Sequence, residues 1–148
     1  MKTILEESTR LEIINRIHSL NELSMRQWGK MNIYQMLKHC TLAEEFYLGQ
    51  KKYPRSFLGK LIGKWALKGI LKNDDPMGKN APTSSYFKVK TTTGDVASER
   101  AYWITLIEAY ANYENPAFEH WFFGEMTTEQ LGFFVYKHAD HHLRQFNS

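Results

Sequence analysis

The sequence contains only one cysteine, Cys40, in 148 residues. A single thiol excludes an internal disulfide framework and a zinc site built from several cysteines. Long apolar runs are also absent. None approaches the roughly 18–20 residues that a membrane-spanning helix needs, and the N-terminal stretch lacks the apolar core of a signal peptide. These absences favour a cytoplasmic protein with no integral membrane association.

The charges show no strong excess of either sign. There are 19 Lys and Arg residues against 16 Asp and Glu residues, which gives a net charge of +3. The acidic residues are spread along the chain, and this balance argues against a nucleic-acid partner. Hydrophobic residues make up 43% of the chain and aromatic residues 14%, enough for a packed core. We therefore expect one globular domain over residues 1–148.

Helical periodicity predominates along the chain, and strand-like alternation is scarce. Only "SYFKVK", residues 85–90, has the composition of a short strand. The pattern predicts an all-α protein with four principal helices packed as a bundle. Each of these helices has an apolar face and begins at a residue suited to cap it: Thr9 (in a capping box with Glu12), Asn32, Asp95 and Thr127.

Residues 56–72 form an additional, short amphipathic segment between the second and third principal helices. Large apolar side chains fill much of it, and a lysine recurs at every fourth position: Lys60, Lys64, Lys68 and Lys72. We favour packing of this segment onto the bundle or a partner subunit, with the lysines in solvent. The alternative is a helix that lies on a membrane surface. The polar loop that follows, residues 73–95, is long enough to cover a pocket.

Three of the six histidines lie in "YKHADHHLRQF", residues 136–146. His138 and His142 are four residues apart, so on a helix they share one face and can bind one metal ion. The alternative is a partly exposed C-terminal turn, where histidines favour the negative end of the helix dipole. A metalloprotease motif is excluded because Ala139 stands where that motif has its catalytic glutamate.

His39 offers a third imidazole from another helix. It shares the apolar face of the second helix with Met36, Ala43 and Phe46. A lone histidine there is often a satisfied core residue, but a bundle can also bring this face against the last helix. Three histidine ligands would leave one coordination position open, as catalytic metal sites require.

Three further residues are candidates for the surroundings of this site. His141 lies roughly 100° around the helix from His142 and is expected to lie at the surface or to support the pocket rather than bind the same ion. His120 lies in the aromatic connector "HWFFG" and can approach the mouth of the pocket. Gln145, one turn after His142, either forms a hydrogen bond in the site or caps the helix end.

The segments "YQMLKHC", with His39, and "HADHHLRQF", with His138 and His142, together resemble the DinB/YfiT-like metalloenzyme superfamily. "WGKMNIYQMLKHC" and "HWFFGEMT" are similar to a bacterial branch of it without an assigned function. The resemblance covers almost the full chain and implies a DinB-like four-helix bundle with His39, His138 and His142 as metal ligands. Many members have Arg-Gly where this chain has Leu143 and Arg144, so a substrate is not transferred from better-known branches.

These observations lead to two competing functions. The first is a metal-dependent enzyme with an open three-histidine site that acts on a small-molecule substrate, with zinc or nickel as the favoured ion. Some relatives implied by the resemblance are transferases that use a low-molecular-weight thiol such as bacillithiol, mycothiol or glutathione, so a thiol-dependent transferase is placed ahead of a hydrolase. The second is a protein without catalysis: either a metal-free helical binding module, for example a homodimer, or a peripheral membrane-surface protein that uses the basic amphipathic segment 56–72. No catalytic residue is assigned.

Overall fold

The computed structural model describes all 148 residues, about half of them in five α-helices. The helices are α1 (Glu7–Ser19), α2 (Ile33–Tyr47), α3 (Phe57–Ile70), α4 (Val96–Glu108) and α5 (Thr128–Gln145). Short 3-10 turns lie at Ser85–Phe87 and Ala109–Asn112. A small antiparallel hairpin joins β1 (Glu119–His120) to β2 (Gly124–Glu125). The protein is mostly helical, which confirms the all-α prediction.

Helices α1, α2, α4 and α5 enclose the core. α2 packs against α4 and α5, and α1 packs against the same two helices. The shared interior is filled by apolar side chains that have no contact with solvent, among them Ile13, Ile17, Met36, Leu37, Trp103, Ile107 and Val135. The contact between α2 and α5 sets the second helix directly beside the C-terminal histidines.

The predicted helix starts are correct at three of four positions. Asn32 and Thr127 both form complete capping boxes, and the Asp95 side chain accepts a hydrogen bond from the Ser98 amide. The prediction for Thr9 is wrong. α1 begins at Glu7, and Thr9 is a buried residue within the helix.

The long loop between α3 and α4 runs along the start of α2. The predicted strand in "SYFKVK" is wrong, because residues 85–87 form a 3-10 turn that buries Phe87. Two side chains at the start of α2, those of the capping residue Asn32 and of Gln35, bond to backbone carbonyls of this loop. Gln35 donates to the carbonyl of Val89 at 3.1 Å, and Asn32 donates to the carbonyl of Thr92 at 2.7 Å.

The aromatic connector before α5 folds back onto the core. It forms the β1–β2 hairpin, in which Phe118, His120 and Phe123 are buried. α3 lies across this hairpin. A side chain at Gly63 would place its Cβ 2.0 Å from the Phe122 carbonyl oxygen, so the glycine allows the two backbones to approach. No helix of the protein has the length and apolar character needed to cross a membrane.

Candidate metal centre

Three histidines from two helices meet in the interior. His39 lies in the middle of α2, and His138 and His142 lie one turn apart on α5. One ring nitrogen from each lies within 4.8 Å of the other two, and all three residues are buried. The ring centroids are 4.7 Å apart for His138 and His142, and 4.8 Å apart for His39 and His142.

The ring of His39 is held by the long loop. Its Nδ1 lies 3.0 Å from the backbone carbonyl oxygen of Phe87. Because a carbonyl can only accept, the proton of the neutral imidazole sits on Nδ1 and the lone pair sits on Nε2. His39 is thus prepared to bind a ligand through Nε2.

The ring of His142 is held in the same way by Gln145. Its Nδ1 lies 3.0 Å from Gln145 Oε1, and Gln145 Nε2 donates to the backbone carbonyl of Trp28 at 2.9 Å. The carbonyl of Trp28 fixes the orientation of the amide, so Oε1 faces His142 and accepts the Nδ1 proton. Gly29, at a positive φ of 81°, follows Trp28, and a Cβ there would lie 2.6 Å from Gln145 Nε2.

His138 differs from the other two because its Nδ1 is buried and has no hydrogen-bond partner. The ring packs against Tyr47, at 5.8 Å between centroids, and is stacked on Phe134 at 6.2 Å. A buried ring nitrogen without a partner is energetically unfavourable in an apolar environment.

Burial keeps the three imidazoles neutral. It lowers the pKa of His39, although the hydrogen bond to Phe87 partly opposes the effect. It lowers the pKa of His138 and of His142 well below the ordinary value, and the neighbouring histidines lower both further. Neutral imidazole is the form that binds a metal ion.

These features fit a divalent metal. Two rings offer an Nε2 lone pair, and the third has a buried nitrogen that lacks a partner. No carboxylate belongs to the cluster, and imidazole donors suit zinc, nickel, copper and iron better than calcium or magnesium. Hydrogen bonds from the outer ring nitrogens to carbonyl oxygens, as made by His39 and His142, are typical of histidines that bind metals.

The two other histidine candidates lie outside the cluster. Nδ1 of His120 accepts hydrogen bonds from the amides of Phe122 and Phe123, at 3.1 and 3.2 Å, so its proton is on Nε2. Burial lowers the pKa of His120 to about 3. The ring sits in an aromatic group that includes Tyr47 and Phe134, which also contact His138.

His141 is partly buried and is not part of the cluster, although its ring lies 5.0 Å from the ring of His142. Its ring meets Trp28 edge-on at 5.7 Å, and it lines a cavity of about 510 Å³ together with Lys79 and Arg144.

Asp140 pairs with two bases, Arg16 at 2.8 Å and Arg144 at 2.7 Å. Cys40 is fully buried, and burial raises the pKa of its thiol well above the ordinary value. An inert thiol of this kind is not a nucleophile.

Two groups of the site could not be found from the sequence. The carbonyls of Phe87 and Trp28 hold His39 and Gln145 in place. Backbone carbonyls occur at every residue, so they leave no signal in residue type.

Residues 2–148 match the model of one protein family, described as Protein of unknown function (DUF1569). No curated protein matches the chain. No solved structure matches it either.

Proposed function

The chain belongs to DUF1569, a family of unknown function, and from its site we propose a metal-dependent enzyme with an open three-histidine centre. The observation that carries the proposal is the convergence of His39, His138 and His142 within 4.8 Å in the interior. Two of these rings have their outer nitrogen bonded to a carbonyl, and the third has a buried nitrogen without a partner.

The proposed architecture is a DinB-like four-helix bundle formed by α1, α2, α4 and α5. The contacts of α2 and α1 with both α4 and α5 support this arrangement, as does the position of the three histidines, which matches the resemblance described above. α3 and the long loop would then be additions to the bundle.

In this proposal His39, His138 and His142 hold the ion. The carbonyl of Phe87 and the amide of Gln145 keep the protons of His39 and His142 on Nδ1. When bound, a divalent ion supplies Lewis acidity that lowers the pKa of a coordinated water or thiol. Three protein ligands leave room for such a group.

We favour thiol-dependent transfer over hydrolysis. The cluster has no carboxylate that could serve as the general base of a hydrolase. Its neighbours are aromatic, with Tyr47, Phe87 and Phe134 packed against the imidazoles. Such surroundings restrict water and suit a soft ligand such as a low-molecular-weight thiol. A small-molecule substrate that accepts the thiol completes the proposal.

Calorimetric titration tests the thiol part separately from the metal part. Protein loaded with zinc or nickel should bind glutathione or another small thiol, but not S-methylglutathione, which has no ionisable thiol. His141→Ala should behave like the wild type, since His141 lies outside the cluster, and His39→Ala should lose the response. Equal binding of both compounds, or of neither, would contradict thiol use and leave hydrolysis as the alternative.

A further inference from the structure

The outer face of α3 carries more exposed large hydrophobic residues than any other helix. Eleven large hydrophobic residues of the chain are exposed, and five of them lie on this helix: Phe57, Leu58, Leu61, Ile62 and Trp65. Phe57 and Trp65 are each 78% exposed. At roughly 100° per residue the five side chains fall within an arc of about 140°. They form one continuous stripe, which we call the α3 face.

The fold fixes the direction of the α3 face. The opposite side of the helix carries Gly59 and Gly63, whose Cβ atoms would lie 2.4 and 2.0 Å from the Phe122 carbonyl oxygen. Such close backbone contact with the hairpin leaves no freedom to turn the helix over. Lys137 of α5 donates to the carbonyls of Ile70 and Asn73, at 2.8 and 2.7 Å, and secures the other end. The apolar stripe therefore points outward. The predicted packing onto the bundle is made only by the glycine side of the helix, and packing of the five exposed side chains onto a partner subunit stays a prediction.

Positive charge accompanies this stripe. Residues 56–72 contain four lysines and no acidic residue: Lys60, Lys64, Lys68 and Lys72. Lys60, Lys68 and Lys72 are exposed, and Lys64 donates to the backbone carbonyl of Glu125. On α3, Lys60, Lys64 and Lys68 occupy an arc that adjoins and partly overlaps the apolar stripe, and Lys72 follows the end of the helix. Lysines so placed can extend their charges beyond a buried apolar face.

A second copy of the chain is a poor match for this surface. A two-fold dimer brings the same patch of both subunits together, so the eight lysines of two α3 segments would gather around one contact. The repulsion would oppose association unless acidic groups intervened, and residues 56–72 supply none. An anionic partner is complementary to the same lysines.

We propose that the α3 face binds the surface of an anionic lipid bilayer. The helix lies parallel to the surface, with Phe57, Leu61 and Trp65 in the interface and the lysines directed at the headgroups. An apolar stripe combined with basic residues is the arrangement that peripheral amphipathic helices use. The interaction places the protein at a membrane without any spanning segment and does not depend on the metal centre.

Co-sedimentation with vesicles tests this proposal on the full chain. The wild type should bind vesicles of phosphatidylcholine mixed with phosphatidylglycerol, bind pure phosphatidylcholine much less, and detach as salt is raised. The double variant Phe57→Ser with Trp65→Ser should lose binding. Its matched control, Leu23→Ser with Met25→Ser, changes two residues that are 87% and 78% exposed on another segment and should bind normally.

A second pair of variants tests the charges. Lys60→Gln with Lys68→Gln should weaken binding to the anionic vesicles by roughly thirtyfold, since each lysine near such a surface contributes about a factor of five. Lys52→Gln with Lys90→Gln removes the same charge from exposed positions elsewhere and should have little effect. Equal losses in both pairs would mean that net charge alone is responsible and would overturn the proposal.

Two further results would overturn it. One is failure of the wild type to bind anionic vesicles at low salt. The other is a stable dimer in sedimentation velocity that Phe57→Ser with Trp65→Ser converts to a monomer, because the α3 face would then be a contact between two copies. All substituted side chains are exposed, so each variant should fold, and circular dichroism checks this.

Discussion

A 3.0 Å hydrogen bond joins Nδ1 of His39, in the middle of α2, to the backbone carbonyl of Phe87 in the long loop. The loop therefore contributes a backbone carbonyl to the candidate metal centre, and the residue type at position 87 gives no sign of this. Phe87 is buried, and its ring packs against Phe46 and Tyr53 at centroid distances of 5.7 and 5.5 Å. The ring keeps the carbonyl in position beside His39.

Removing the Phe87 ring should loosen the loop and weaken the metal site together. We expect Phe87→Ala to lower the free energy of unfolding by about 3 kcal/mol or more and to reduce metal affinity by about tenfold or more. Urea denaturation and calorimetric metal titration measure the two effects. Tyr86→Ala alters the neighbouring, partly exposed ring and should have a smaller effect on affinity. A Phe87→Ala variant with unchanged affinity would show that the loop does not support His39.

Gln145 should control metal affinity without touching the ion. Its Oε1 accepts from His142 and its Nε2 donates to Trp28, so Gln145→Leu removes the group that holds the His142 proton on Nδ1. We expect affinity to fall by about 10- to 100-fold while the stoichiometry of binding stays the same. Gln50→Leu, at an exposed position outside the site, is the matched control. Loss of stoichiometry in Gln145→Leu would mean instead that the side chain is needed for the site to form.

Most of the helical framework was predictable because its signals are local. Asn32 and Asp95 cap helices through hydrogen bonds to residues three positions ahead, and such bonds follow from the sequence alone. The prediction that Thr9 caps α1 failed because the start of this helix depends on a distant contact. The amide of Ile4 bonds to the carbonyl of Gly132 at 3.1 Å, and this tertiary contact lets the helix begin earlier.

The metal site also combines features that are visible in the local sequence with contacts to distant segments that are not. The spacing of His138 and His142 places both on one helical face, and the apolar neighbours of His39 indicate a buried position. The groups that orient these rings are backbone carbonyls of distant segments, as in the pairing of Phe87 with His39 across 48 residues. The exposed α3 face agreed only with the less favoured sequence interpretation, a membrane-surface helix. Its apolar composition favours burial, and the close contact of Gly63 with the hairpin turns it outward.

The buried carboxyl of Glu44 should make stability depend on pH. Burial raises its pKa from about 4.5 to about 7, although the hydroxyl of Tyr110, which donates to Oε2 at 2.5 Å, partly opposes the shift. The folded state therefore favours the protonated form. This contribution to stability is fully present below about pH 4.5 and is lost as the pH rises through 7.

Glu44→Gln isolates this effect, because the amide stays neutral and still accepts from Tyr110. Relative to the wild type, the variant should gain about 3 kcal/mol as the pH rises from 4.5 to 7. Urea denaturation across that range measures the difference, and contributions from the histidines cancel because both proteins contain them. Parallel stability curves would contradict a raised pKa at Glu44.

Replacing two glycines of α3 with alanine should change the free energy of unfolding in opposite directions. Gly63→Ala places a Cβ 2.0 Å from the Phe122 carbonyl oxygen, so we expect a loss of about 2 kcal/mol or more as the helix and hairpin move apart. At Gly69 nothing lies within 4 Å of the same position, so Gly69→Ala should stabilise the helix by up to about 1 kcal/mol. Thermal or urea unfolding of the pair measures both. Equal effects would mean that α3 does not rest on the hairpin.

Metal content tests the central claim most directly. Untagged protein, purified without added metal or chelator, should contain about one zinc or nickel per chain when analysed by inductively coupled plasma mass spectrometry. Alanine at His39, His138 or His142 should remove the ion, and His141→Ala should retain it. A wild type that contains no metal and takes none up on titration would contradict the account, as would a His39→Ala variant that still binds one ion tightly.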